Sequence, residues 1–542
     1  MQNINILQTK YSLSEAAYQL KLPIDLGIII PENDCVRLLS QFVEGLDLTD
    51  LYSTYSRLRE NQASPRQMLK ILLYASYLEG IYASRGIEKA CQKNVDFMYL
   101  LEGKPAPDHT TIARFRSIHF APCATRILAL TTEFLKSIGE ISCKEIFIDG
   151  TKIEANANRY TFVWKKAVTK NMAKRFDKVA AFFEECENCY GLHPVWRGKI
   201  RLKHLKRLRR RLYAIREEEG IEFVHGTGKR KTQLQRHIEE LEEHLAKIKE
   251  YTYRIHQCGE RNSCSKTDPD ATFMRMKEDY MMNGQLKPGY NLQIGVDSAY
   301  ITWLTVSWHP TDTRTLKPFL RQMENELSFR YGTIVADAGY ESEENYSYLE
   351  DHGQRAMIKP NNYEISRTRK YKRDISRREN MPYNCDGDYY TCRAGKRLHA
   401  GDTFARRERG SSYERKVTLY QCHECRGCPY KAECIKGRNW KTPEEKRFKR
   451  LEVSRKFERQ RQESLANITS EEGTMLRMNR SIQAEGAFAV IKEDRGFRRF
   501  LCRGTENVLA ESVLMAVSQN IAQLHRRIQN GKTGFHLYPL KH

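Results

Sequence analysis

Asp149 ends the apolar run EIFID, Asp337 ends the apolar run TIVAD, and Glu485 sits inside the helix-like run RSIQAEGAFAVIK. Two aspartates at strand ends and a later helical glutamate form the donor set of a two-metal phosphoryl-transfer site. Oxygen ligands suit Mg²⁺ or Mn²⁺, and two such ions can activate one oxygen while stabilising the leaving one. Lys492 lies two helical turns beyond Glu485 on the same face, where it can touch a phosphate beside the metals. Arg480, five residues before Glu485, falls about 140° around an α-helix from it, so its help depends on side-chain reach. A lone aspartate after a strand is usually a turn residue; the inference rests on all three acids together. Glu154, Glu341, Glu493 and Asp297 compete for the role, and Asp297 with Ser298 reads as a hairpin turn.

The surroundings of these acids favour a polyanion. The chain has 542 residues and a net charge of +23, from 91 Lys and Arg against 68 Asp and Glu. A positive excess of this size points to nucleic acid. The length implies two to four domains. No run reaches the roughly 20 apolar residues needed to span a bilayer, and the start lacks a secretory pattern; the cytoplasm is the expected compartment. The 15 cysteines are unevenly spread, and a disulfide scaffold is not expected in a chain of this kind. Cys422, Cys425, Cys428 and Cys434 read C-x2-C-x2-C-x5-C, a spacing suited to structural Zn²⁺. Pro429 also gives the run a trace of iron–sulfur spacing. Unliganded reduced thiols are the plainer alternative. A second set, Cys186 and Cys189 with Cys258 and Cys264, could meet at the base of a helical hairpin and hold another metal.

The elements that must position these groups alternate along the chain. Residues 1–140 read as a helical domain, with apolar spacing of three and four in VRLLSQFVEGLDL and PRQMLKILLYASYLEG. Within it, DHTTIARFR starts a capped helix whose candidate DNA contacts are His109, Thr110, Arg114 and Arg116. Residues 141–163 hold the first core strand. Asn156, Asn158 and Arg159 follow it, as turn residues or as contacts to DNA near the cut. Residues 164–266 read as a charged helical hairpin, with stripes Leu202, Leu205, Leu208, Leu212, Ile215 and Leu234, Ile238, Leu241, Leu245, Ile248. Residues 267–360 return to strands and helices, the pattern of an α/β mixed sheet. Residues 361–469 form a basic, Cys-rich insertion, with seven Lys or Arg in 366–378. Residues 470–530 read as two helices. The tail, 531–542, is expected to fray.

FIDGTKIEANANRY (147–160), TDPDATFM (267–274), NGQLKPGYNLQIGVD (283–297), TIVADAGYESEEN (333–345) and EGAFAVIK with GFRRF (485–500) resemble the DDE transposases of bacterial insertion sequences. Residues 37–118, above all DHTTIARFR, resemble the helical domain that precedes the catalytic domain in that family. The resemblance covers nearly the whole chain in the right order. It implies an RNase H-like mixed-sheet core with Asp149, Asp337 and Glu485 as metal ligands for cutting and joining DNA, and Lys492 beside them. Arg480, Arg498 and Arg499 join the candidate DNA contacts. One departure concerns the family's Tyr, Arg, Glu, Lys signature, in which Arg stands four residues before Glu. Here Ser481 holds that place, Arg480 is one residue further back, and no Tyr lies just upstream.

The function expected is that of a transposase. It binds double-stranded DNA at the element's terminal inverted repeats and at a target, works as a homo-oligomer, and uses Mg²⁺ or Mn²⁺ with Zn²⁺ as a structural candidate. A zinc-dependent DNA-binding relative without catalysis is the alternative from another class. A nuclease that only hydrolyses would use the same acids.

Overall fold

The computed structural model describes residues 29–57, 61–193, 199–226, 228–276, 284–407, 411–436 and 442–540. The first 28 residues of the expected helical domain, Asn283 of the NGQLKPGYNLQIGVD run and the last two residues of the tail lie outside the described residues.

The core is a six-stranded mixed sheet: β1 (Glu145–Glu154), β2 (Thr272–Arg275), β3 (Leu286–Asp297), β4 (Tyr300–Ser307), β5 (Thr333–Ala336) and β6 (Arg355–Ile358), in the spatial order β2-β3-β1-β5-β6 with β4 also on β3. β1 runs antiparallel to β3 and parallel to β5, and β5 runs parallel to β6. β1 is buried almost throughout and β5 throughout, which is why both read as continuous apolar runs. β3 and β4 meet at Asp297–Tyr300, where Ser298 and Ala299 take positive φ. Asp297 is therefore the hairpin residue expected: it accepts from Ser142, the Cys143 amide and the Ser298 hydroxyl.

A helix spanning Thr505–Gln529 is buried on nearly every side between this sheet and the amino-terminal helices. Alanines and serines along it permit close approach; Ser518 donates to the carbonyl of Leu73, in the helix Pro65–Leu73. Asn520 solves a backbone problem. The β3–β4 register shifts at Gly295/Val296, and the buried Asn520 amide both donates to and accepts from Ile301 at 2.8 Å. This meets the requirement that buried peptide groups be paired. The TDPDATFM run serves the same helix: Asp270 accepts from Thr505 at its first turn, and buried Asp268 accepts from Gly504 and the Tyr290 hydroxyl. The amino-terminal helices share one apolar core with the sheet.

Two segments have cores of their own. In 164–266 both leucine stripes pack as expected, but on a third helix, Lys165–Tyr190, which supplies Val179, Phe182, Phe183 and Cys186. The hairpin is thus a three-helix unit. The buried apolar residues of the added helix crowd into its second half, so no long stripe announced it. Cys189 meets Gln233 at the start of the helix Gln233–Cys258, while Cys258 and Cys264 meet at its far end. The 26 residues of that helix span about 39 Å, so the two pairs do not form one metal site. In the basic insertion, residues 383–453 form a five-stranded antiparallel sheet. The helix Arg455–Thr469, placed in the insertion by the sequence reading, instead covers β6: Ser464 accepts from the Ile358 amide, and Asn467 donates to the Ala356 carbonyl.

The tail does not fray as expected. Gly534, His536 and Tyr538 bond to Glu140, Ser298, Gln483 and Asn479. Glu140 anchors this junction, accepting from Tyr300 at 2.7 Å and Arg527 at 3.0 Å. Burial by itself raises the Glu140 pKa, but hydrogen bonds from Tyr300, Gly534 and Arg527 outweigh it and hold it below the usual value. Glu140→Ala should lower stability by about 3–5 kcal/mol by leaving buried Arg527 uncompensated, and a further Arg527→Met should recover part of that loss. Shifts in the urea unfolding midpoint check both. Since folding lowers the pKa, the advantage of wild type over Glu140→Ala should be complete above the unfolded-state pKa. It should shrink as the pH falls through the folded value.

Candidate active site

Parallel pairing of β1 with β5 sets Ile148 opposite Ala336. The next residue on each strand is an acid, so Asp149 and Asp337 emerge side by side. Asp149 is buried; Asp337 is half-buried and accepts the Gly339 amide at 2.8 Å. Glu485 comes from a helical run that begins at Glu471 and packs across β1 and β3. Arg480 joins the acids, with one terminal nitrogen 2.8 Å from Glu485 and the other 3.7 Å from Asp149. The Asp149 side chain is 8 % exposed and that of Glu485 52 % exposed. The site therefore runs from a buried floor to an open rim.

The contact between Arg480 and Glu485 corrects the 140° separation expected of an α-helix. Residues Ser481–Glu485 form a π-helical turn. Bonding from i to i+5 accommodates one extra residue in the turn and brings residues five apart onto one face. The displaced arginine thereby regains a place beside the glutamate. A second π-helical turn, Val490–Asp494, holds Lys492 half-buried, so strict α-helical alignment with Glu485 does not apply.

A fourth carboxylate was missed in the sequence. Asp312 precedes the helix Leu316–Glu326 and accepts from Asn291 at 2.7 Å and Gln293 at 3.0 Å. A side chain built on Gly339 would lie 3.0 Å from Asp337 Oδ1 and 3.3 Å from Asp312 Oδ2, so both carboxylates border one small space. On the other side Gly150 leaves room for Gln293 and Asp312, which any Cβ there would meet. Buried Tyr340 donates to Gln293. Burial, then the charges of Asp312, Asp149 and Asp337, push its pKa well above the usual value and keep it a donor. The legible signal was the polar pair Asn291 and Gln293 on an otherwise apolar strand, since buried amides require partners.

Competing acids are occupied elsewhere. Glu154 pairs with Arg159 and Lys287, Glu341 with Arg461, and Glu493 with Arg498. The candidate DNA contacts divide. Thr110 and Arg114 are exposed on the helix His109–Arg114, while His109 pairs with Glu88. Arg116 is instead buried and donates to the Tyr82 carbonyl, because its side chain faces the helical core. Asn158 is exposed in a turn and accepts from Tyr160. Asn156 donates to the Leu501 carbonyl, and Arg499 to those of Ala155 and Ala157. These two side chains fasten the GFRRF run to the end of β1. Of the basic run 366–378, Arg367, Arg369, Lys370, Lys372, Arg373 and Arg377 are exposed.

Carboxylate oxygens are the right donors for Mg²⁺ or Mn²⁺, and Asp149 and Glu485 already converge on one cationic group. Among the described residues no three His, Cys, Asp or Glu side chains stand at metal-ligating spacing. Arg480 lies between two of the acids, so ligation of one ion by both requires it to move aside.

A family model described as Transposase DDE domain matches residues 391–525. One described as Transposase domain (DUF772) matches residues 24–117. Neither a curated protein nor a solved structure matches the chain. No described helix is long and apolar enough to cross a membrane. The antiparallel β4-β3-β1 unit continued by parallel β5 and β6 is the RNase H-like sheet that a DDE domain implies. Transposase matches at both ends of the chain, with that sheet between them, support a DDE transposase of an insertion element.

Proposed function

We propose that this transposase binds the terminal inverted repeats of its element and cuts and joins DNA at Asp149, Asp337 and Glu485. The observation that carries the proposal is the convergence of Asp149 and Glu485 on Arg480, with Asp337 in register beside Asp149. Mg²⁺ or Mn²⁺, held by these three acids, would supply Lewis acidity to the phosphodiester and lower the pKa of the attacking hydroxyl.

The chain's own residues do the rest. Asp149 and Asp337 are anchored by strand pairing, so their carboxylates are positioned before substrate arrives. Asp312, held by two amide donors, borders the same space as Asp337. Arg480 offsets the repulsion between Asp149 and Glu485, and when displaced it is near enough to meet a DNA phosphate. Lys492 supplies a second positive charge on the same helical run. The exposed residues of 366–378, with Thr110 and Arg114, follow the phosphate backbone without reading sequence. Joining two element ends requires that they be held together, which makes a homo-oligomer the expected working form.

The decisive experiment compares wild type with Asp337→Asn on DNA bearing the element ends, with Mg²⁺ or Mn²⁺. Wild type should cleave and join, and the variant should lose about 10³-fold or more, equivalent to about 4 kcal/mol of barrier, while still binding DNA. Equal activity would overturn the assignment of the acids. Binding without cutting by wild type would favour a non-catalytic DNA-binding relative, and cutting without joining a simple nuclease. DNA affinity should fall about 10³-fold or more between 50 and 200 mM salt if six or more phosphates are contacted, as titrations at several salt concentrations would measure. Arg480→Ala removes the cation that competes with metal. Added Mn²⁺ should then raise the Tm more in the variant than in wild type, whereas equal shifts would separate Arg480 from the metal site.

A further inference from the structure

The second chemical centre lies in the basic insertion, away from the cutting site. Cys392, Cys422, Cys425, Cys428 and Cys434 line one cavity of about 20 Å³. A cavity must exceed about 10–15 Å³ to take a single water, so this one has room for one ion. Cys392 belongs to a different turn, 30 residues before Cys422, closed by bonds between Cys392 and Lys396 and between Gly395 and Cys392. The other thiols come from the loop that follows the strand Glu414–Gln421.

The thiols are not equivalent. Cys434 has Cys392, Cys425 and Cys428 as its thiol neighbours. Cys425 also accepts the Lys449 backbone N–H at 3.4 Å, and its thiol donates to the Cys422 carbonyl. Cys422 is 2 % exposed and packs with Met381, Leu398, Tyr420, Val453 and Cys425, and it has Cys425 and Cys392 as thiol neighbours. Arg393, Lys396, Lys431 and Lys449 border the same cavity; burial raises the Cys434 pKa, and the Lys449 charge offsets only part of that rise. This segment needs an additional restraint, because among the described residues its buried apolar cluster contains six residues, two of them cysteines. Small folds with so little core are commonly closed by a metal.

We propose that Cys392, Cys425, Cys428 and Cys434 bind one zinc ion, and that Cys422, which spacing had placed in the set, is a core residue. The ion ties the Cys392 turn to the Cys425–Cys434 loop and so holds the five-stranded sheet of the insertion together. The sulfurs are not yet at ligating spacing, so binding draws them inward by rotation about χ1. The inference is independent of the cutting reaction.

Metal analysis of the full-length chain, purified under reducing conditions and supplied with Zn²⁺, tests this. Wild type and Cys422→Ser should each carry one zinc per chain, and Cys392→Ser less than a tenth of that. Should Cys392→Ser fail to fold, wild type provides the readout through alkylation mapped by mass spectrometry. Zinc removal should expose Cys392, Cys425, Cys428 and Cys434 to reagent and leave Cys422 unchanged. Co²⁺ substitution should add the intense sulfur-to-cobalt absorption of a tetrahedral thiolate site. A wild type that takes up no zinc, iron in place of zinc, or zinc kept by Cys392→Ser and lost by Cys422→Ser would overturn the proposal.

Discussion

The parallel register between β1 and β5 is the constraint on which the candidate active site depends. Ile148 opposite Ala336 places Asp149 and Asp337 at adjacent strand ends. A one-residue slip would turn one strand's side chains to the other face of the sheet, separating the acids and exposing apolar residues together. The neighbouring packing defends this register. Gly150 and Gly339 admit the Asn291, Gln293 and Asp312 network only because they lack a Cβ. Tyr340 closes the network from beneath, and its hydroxyl remains a donor because burial and three carboxylates keep it protonated.

The third acid depends on helix geometry instead. Glu485 reaches the strand ends on a helical run whose π-helical turn restores an arginine displaced by one residue. Such turns cost helical regularity, and surrounding contacts must hold them. Gln483, inside the turn, accepts from the Ala299 amide and donates to the His536 carbonyl, and Asn479 bonds both ways with Tyr538. The chain's terminal segment and the β3–β4 hairpin thereby brace the helix that carries the glutamate. Through Ser298 and Glu140 the same contacts reach Arg527 and the central helix.

The two large interruptions of the core are supported differently. The three-helix unit in 164–266 buries a full apolar seam of its own. The sheet of the basic insertion has little such seam and gathers thiols where a core would otherwise be. Positive charge is divided by context. Within 446–461, Lys449, Arg455, Arg459 and Arg461 are engaged in internal bonds, whereas most of 366–378 faces solvent. Both stretches mix exposed basic residues with internal pairs, among them Arg377 with Asp374 and Arg378 with Glu458.

Much of this was determined by local sequence. The apolar runs ending in Asp149 and Asp337, the two leucine stripes and the Asp297–Ser298 turn follow from side-chain periodicity and turn chemistry, which act over a few residues. Tertiary structure alone decided what depends on distant partners. Asp312 looked like an ordinary residue before a helix until Asn291 and Gln293 were brought to it. Arg116 looked available to DNA until the helical core buried it against the Tyr82 carbonyl. Cys392 joined thiols 30 or more residues away in one cavity. The spacing from Arg480 to Glu485 became meaningful only with the π-helical turn. In each case a polar or thiol side chain took its role from whichever group lay within hydrogen-bonding or packing reach, and that reach is set by the fold rather than by position along the chain.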